Sequence, residues 1–367
     1  MIKQLLLAGL TGVACLVTLL ADSGIGQAYG IYEKVMLAMI LLFILLPMAK
    51  TLLKGEMWLP DLLIFVGLVV VIGLWPMFQG NKTIGIKFGW LLLTPFVVGQ
   101  IPLSSRDMRT IGLTAGGFGL VLLISRLYLG IFDGWNPNNI AMVAFLSAAV
   151  CSAAPWEGLA KLLHQVYLVA MALLVLQLDS RSCLFGLIVL ATAFLFRIIK
   201  PSEVLHDRLL RRLLLTAPAL IALGVVLFQN LPIFDVLNDL SQEYFGKPIF
   251  NGRNEVWELG LQTLRDTPLL GTGFLDSGLW HNAAITMLAS FGLTGYLLWL
   301  GLFDRIMEKA RSFGSDQSLA ACTVAFLTIM LQQSFELGLV STRGNLLPYF
   351  LLGLILGRIR YLKGMRE

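Results

Sequence analysis

Arg181, Arg253 and His281 are the residues whose types and settings could do chemistry in this chain. A guanidinium presents a planar fork of donors that matches phosphate oxygens, and it keeps its charge at any physiological pH. Arg181 sits in the short turn D-S-R-S, residues 179–182, between two apolar runs. An arginine held at a membrane boundary needs a partner. Three are open to it: a salt bridge to Asp179, a lipid headgroup reached by snorkelling, or a bound phosphate. Arg253 follows Asn251-Gly252, a turn signal, and opens a segment in which Trp257, Leu261 and Leu264 recur at i, i+4 and i+7. That spacing predicts a helix with one apolar face, lying along the outer membrane surface and ended by Pro268. Gly271-Thr272-Gly273 then predicts a flexible turn able to approach a ligand closely. His281 opens the next apolar run. The positive end of a helix dipole disfavours imidazolium there, and a neutral imidazole can accept a proton as a general base. The bland alternatives are an exposed arginine at a helix start and a histidine that only bonds a loop carbonyl.

The elements that must position these residues are membrane spans. Of the 367 residues 57% are hydrophobic and only 13% charged, against about 25% charged in soluble domains. Mean hydropathy is +0.82. The reading is an all-α, polytopic integral membrane protein, a single membrane domain over 1–367. Apolar runs predict about twelve spans, near 5–20, 32–48, 59–78, 84–103, 110–131, 138–155, 162–178, 183–199, 212–229, 281–301, 318–338 and 345–360. The segment 231–280 is the one long stretch too polar to span, and is predicted to be an extracytoplasmic loop carrying a short interfacial helix. With both termini placed inside and the spans alternating, the inner side collects twice as many Lys and Arg as the outer. The basic run 197–212 anchors the cytoplasmic side. Arg181, Arg253, His281 and Arg343 then fall outside, while His164 and His206 fall inside and are assigned no catalytic role. Of the charges nearest mid-span, Arg126 and Glu336 lie towards outer helix ends.

The net charge of +5 is spread over short loops, which is a topology signal and excludes a nucleic-acid partner. Cys15, Cys151, Cys183 and Cys322 have no metal-ligand spacing and are expected to be packing residues. No P-loop is present, and no cofactor is expected. Asp235, Asp239, Glu243 and Asp276 are scattered outer carboxylates without a D-x-D pair, so no metal is expected. Asp235 and Asp239 could share a helix face as a minor alternative cation site.

The pattern G-R-x3-W…P-L-x-G-x-G…H-N…G-x-x-G, from Gly252 to Gly295, resembles the O-antigen ligase and polymerase superfamily of bacterial polysaccharide assembly. His281 and Gly292 are separated as in the family's H-x10-G element. WNPNNIA, residues 135–141, is similar to its N-P-N-x-x-A element, and D-S-R-S to its S-R turn. The resemblance implies a GT-C-like glycosyltransferase architecture in the bacterial inner membrane. The donor it implies is a glycan on undecaprenyl diphosphate. Arg181 and Arg253 would bind the diphosphate, and His281 would deprotonate the acceptor hydroxyl, with inversion and without metal. Asn138, Asn139, Trp257 and Asn282 fall within these elements and, with the outer cation Arg343, are expected to support the site. The expected partners are that donor, an acceptor glycan and membrane lipids. The acceptor is lipid A–core for a ligase and a second lipid-linked glycan for a polymerase. Phe185 stands where the ligases often carry leucine, and the outer loop is short for a ligase, so both readings stay open. A lipid-linked glycan transporter is the alternative from another class; it would place charge at mid-span. Asp276 and Glu243 are the rival bases.

Overall fold

The computed structural model describes residues 2–20, 59–80, 82–195, 201–274, 280–340 and 345–366. Among them there are helices and loops but no strand. The helices are α1 (Ile2–Leu20), α2 (residues 59–78), α3 (Lys82–Val98), α4 (Ser105–Tyr128), α5 (Pro137–Ser152), α6 (Gly158–Leu176), α7 (Arg181–Leu195), α8 (Pro201–His206), α9 (Arg208–Phe228), α10 (Pro232–Phe245), α11 (Arg253–Asp266), α12 (Ala283–Arg311), α13 (Gln317–Gln332) and α14 (Leu346–Gly364). In α2 the stretch Val69–Leu74 winds as a π-helix. Each span expected from the sequence falls on one of these helices, save 32–48, which lies outside the described residues. Five helices, α1, α4, α6, α9 and α12, are long and apolar enough to cross a membrane. The chain is an all-helical protein with the helices of a membrane protein.

Helices that are apolar all round sit inside, and helices with one exposed apolar stripe sit outside. Every residue of α5 from Ile140 to Ser152 is buried, and most of α13 and α14 is buried too. At 16 residues, α5 is ~24 Å long, shorter than a bilayer core of ~30 Å, which suits a helix shielded by others. Around it, α6 exposes Leu159, Leu162, Val166, Val169, Leu173 and Leu176 on one side. Such a stripe is stable against lipid, whereas in water it would be an adhesive patch. α4 packs closely on α5 because Gly112, Gly116 and Gly119 face it. A Cβ on Gly119 would lie 2.9 Å from Ser147 Cβ, and one on Gly116 would lie 2.8 Å from Cys151 Sγ. Small residues at this spacing let helix backbones approach where no water drives association. The four cysteines are free and buried, as packing residues are.

Charged residues gather at the two ends of the bundle. One end holds Lys3–Asp107, Arg109–Glu157, Arg212–Asp304, Arg358–Asp316 and the cluster of Arg208, Arg211 and Arg311 on Glu308. The other holds Arg126–Asp133, Lys247–Asp179 and Arg253–Glu336. No ion pair among the described residues joins one group to the other. The groups are those that alternation of the spans assigns to inner and outer sides. At the first end Ser104 and Asp107 form a reciprocal capping box for α4, and Asp107 also takes Lys3 at 2.6 Å, which fixes the start of α1 to the start of α4.

Two findings change the expected picture of the outer segment. It contains two helices, α10 and α11, where one was expected. And the apolar stripe of α11 is covered by protein: Trp257 is fully buried with Trp280, Ile285 and Ala222 around it, and Leu261 packs on the same cluster. Periodicity identifies an apolar face but not what covers it; here α9 and α12 supply the cover, and the stripe is not a lipid contact.

Candidate functional site

The second end of the bundle gathers residues from four places in the chain. Arg181 is delivered by a tight turn. Asp179 adopts a left-handed conformation (φ 54°) between α6 and α7, and Leu184 N–H donates to Ser180 C=O as α7 begins. Arg181 Nη1 donates to Ser241 Oγ at 3.1 Å and to Pro248 C=O at 3.3 Å, which ties α7 to the outer segment. The salt bridge to Asp179 that the sequence left open is taken by Lys247, at 2.8 Å.

Arg253 is delivered by the Asn-Gly turn. Asn251 (φ 51°) and Gly252 (φ 78°, ψ 2°) both lie in the left-handed region. Arg253 N–H donates to Phe250 C=O at 3.0 Å, which makes residues 250–253 a type I′ turn. Helix α11 starts at Arg253 itself, as the spacing predicts. The guanidinium is three-quarters buried and lies 3.5 Å from Glu336 Oε1. Burial lowers its proton affinity first, Glu336 opposes this, and the charge of Arg181 lowers it further. It remains charged throughout.

His281 stands just before α12, in a left-handed conformation (φ 44°) that costs ~1 kcal/mol or more for a residue with a side chain. Its neighbours hold it there. Trp257 Nε1 donates to Trp280 C=O at 2.7 Å. Asn282, fully buried, caps α12 by accepting from Ile285 N–H, and its amide donates to Pro218 C=O and Ser334 C=O, both at 2.9 Å. Trp257 and Asn282 thus support the site through the backbone on either side of His281. The imidazole is held below its usual proton affinity, chiefly by burial and then by the charge of Arg253, with Glu336 opposing. Its Nδ1 is buried without a hydrogen-bond partner among the described residues.

Segment 333–336, after α13, joins these parts. Gln333 C=O accepts from Ala283 N–H, and Ser334 C=O from Asn282. Phe335 packs against Trp257 and Phe185. Glu336 accepts from Ser182 Oγ at 2.8 Å and faces Arg253. Glu336 and Ser182 carry no role in the reading of the sequence alone. The available signal was that an acidic residue bordering an apolar run requires a partner.

The Gly271-Thr272-Gly273 turn is docked on the backbone of α12. Gly292 breaks α12 (φ 64°, ψ −170°). Thr272 and Gly273 N–H donate to Ala289 and Ser290 C=O, while Leu293 and Thr294 N–H donate to Pro268 and Leu269 C=O. The 268–273 segment thereby replaces the two helical hydrogen bonds lost at the break. Irregular backbone inside a bundle requires this, because each unpaired polar group costs several kcal/mol away from water. A Cβ on Gly292 would lie 2.3 Å from Leu269 C and O, and one on Gly271 would lie 2.4 Å from Ser290 C.

Of the remaining residues, Asn138 and Asn139 form the first turn of α5, behind the Asn136 cap and Pro137. Among the described residues no hydrogen bond joins their side chains to Arg181, Arg253 or His281. Arg343 and Asp276 lie outside the described residues. Asp235 and Asp239 share α10, one turn apart, and no group of three ligating side chains occurs among the described residues. His164 stacks on Trp156 and Tyr167 at the opposite end of the bundle, and His206 bonds Ser202 C=O there.

No protein-family model matches this chain, and no curated protein matches it in sequence.

Proposed function

We propose that this chain is a glycosyltransferase of the O-antigen ligase and polymerase superfamily, acting at the outer face of a bacterial inner membrane. The observation that carries the reading is the convergence of Arg181, Arg253 and His281, far apart in sequence, at one polar end of an apolar bundle. The twelve-span GT-C-like architecture, with both termini cytoplasmic, belongs to the same proposal.

In this mechanism the donor is a glycan on undecaprenyl diphosphate. Arg181 and Arg253 hold the diphosphate and stabilise the charge that develops on it as it leaves. The His281 imidazole removes the proton of an acceptor sugar hydroxyl. That oxygen forms a bond to the anomeric carbon from the face opposite the diphosphate. The bond from the anomeric carbon to the diphosphate oxygen breaks, with inversion, and the proton passes from His281 to solvent. The proposal gives the diphosphate charge to the two arginines and the proton to His281, without a metal or cofactor.

The acceptor proposed is lipid A–core, which makes the enzyme a ligase. One observation favours the second reading, a polymerase joining lipid-linked units: the outer segment is short, two helices of 14 residues each, of which α11 packs on the bundle through Trp257. The ion pairs sit at the bundle ends, which speaks against a transporter with a charged mid-span cavity.

The test uses purified full-length protein, a defined undecaprenyl-diphosphate glycan and either acceptor. Arg181→Ala, Arg253→Ala and His281→Ala are each expected to lower transfer ~100-fold or more, with donor binding retained in His281→Ala and EDTA without effect. Full activity in His281→Ala, with loss in Glu336→Gln, Asp276→Ala or Glu243→Ala, would move the base to a carboxylate. Restoration of an EDTA-inhibited reaction by magnesium would overturn the metal-free mechanism.

A further inference from the structure

The candidate site contains a carboxylate that binding a diphosphate does not call for. Glu336 is mostly buried beside Arg253, and a fixed negative charge there opposes the approach of an anionic ligand. Its contacts explain why it is nevertheless present. Oε1 accepts from Ser182 Oγ at 2.8 Å, next in the chain to Arg181, and the same oxygen faces Arg253 Nη2 at 3.5 Å. The serine contact is a full-strength hydrogen bond and anchors the carboxylate on α7. The arginine contact is long, 3.5 Å between Nη2 and Oε1. Elsewhere in the same molecule Arg358 grips Asp316 through two nitrogens, at 2.6 and 3.2 Å. The difference in grip matters. A partly buried arginine with no counter-charge is costly, and a bidentate partner would be hard to displace. Glu336 neutralises Arg253 without holding it tightly.

We infer that Glu336 is a built-in counter-ion that competes with substrate for Arg253: it occupies the position on Arg253 that a phosphate oxygen takes, and it gives up that contact, while keeping Ser182, when a lipid diphosphate binds. This rests on the reading of Arg253 as a diphosphate ligand. Glu336 is then a positioning residue. It keeps the guanidinium oriented towards the site between turnovers, and it lowers affinity for the diphosphate product so that the product can leave.

The experiment measures binding of undecaprenyl diphosphate to the full-length protein in detergent, with transfer kinetics alongside. Glu336→Gln keeps the size of the side chain and an oxygen for Ser182, but removes the charge. It is expected to tighten binding about tenfold and to lower both KM and kcat as product release slows. In an Arg253→Ala background the same change is expected to alter binding by no more than about twofold. If Glu336→Gln folds poorly, Glu336→Asp loosens the same contact by one methylene and is expected to tighten binding by a smaller factor. Unchanged or weaker binding in the Glu336 variants, while Arg253→Ala still weakens binding, overturns the counter-ion role alone. An undiminished gain in the Arg253→Ala background places the effect in general repulsion and also overturns it. Unaltered binding in Arg253→Ala itself defeats the underlying reading of the arginine instead.

Discussion

The imidazole of His281 is pulled in two directions, and the outcome is readable as a pH profile. Burial and the Arg253 charge lower its proton affinity, and Glu336 raises it. The folded value therefore lies below the usual ~6.5. A protonated imidazole cannot take the acceptor's proton, so kcat/KM should be flat near neutrality and fall as pH drops through that depressed value. The sign of each neighbour follows. Arg253→Lys keeps a charge and should leave the acid limb in place, while Glu336→Gln removes an opposing influence and should move the limb to lower pH. A limb that moves to higher pH in Glu336→Gln would show that the titrating group is not His281. At this scale Arg181, Arg253 and His281 were legible because each carries a local signal, namely a turn between spans, an Asn-Gly dipeptide or a helix start. Glu336 was not. Its partners come from α7 and α11, and no spacing in the sequence records a contact that only tertiary packing creates.

Among the elements, the break in α12 is the feature on which the placement of His281 depends. The nine-residue stretch from Ala283 to Phe291 is docked onto segment 333–336 at its start and onto 268–273 at its end. It can follow its own direction only because Gly292 releases it from the rest of α12. Gly292→Ala should therefore be among the most damaging single-methyl changes in the chain. The backbone at φ 64°, ψ −170° is one that essentially only glycine adopts and costs other residues ~1–3 kcal/mol, and the added carbon meets backbone atoms at 2.3 Å that cannot swing away. Gly224→Ala in α9 is the matched control: it meets nothing within 4 Å, and alanine is favoured over glycine inside a helix by up to ~1 kcal/mol. Thermal unfolding in detergent should show a clear drop for the first and no drop for the second. Equal stability of the two variants would mean that the break is dispensable. The sequence gives no warning of it. F-G-L-T-G inside an apolar run reads as helix, and G-T-G reads as a free turn, because the hydrogen bonds that pair them cross some twenty residues. By contrast the start of α11 at Arg253 was legible to the residue, since an Asn-Gly turn is decided by the φ preferences of two adjacent residues.

For the molecule as a whole, the sequence and the structure arrive at the same division by different routes. Counting Lys and Arg along alternating spans sorts the charges into two sides, and the packed helices sort their ion pairs into two ends with the same membership. An apolar belt lies between them, exposed on α4, α6 and α9. The proposed reading puts the end that carries Arg208, Arg211, Arg212 and Arg311 in the cytoplasm, in keeping with the excess of basic residues there, and its chemistry would need the lipid-linked donor on the opposite face. The native cysteines are all buried, so an introduced cysteine reports its own side with little background. Gln242 on α10 and Glu203 on α8 are both exposed and lie at opposite ends. In right-side-out membrane vesicles a membrane-impermeant maleimide should label Gln242→Cys directly and Glu203→Cys only after permeabilisation. The reverse pattern would put Arg181, Arg253 and His281 in the cytoplasm, out of reach of an outward-facing undecaprenyl-diphosphate glycan. It would remove the proposed transfer reaction while leaving the helical fold and its arginine–carboxylate cluster unchanged.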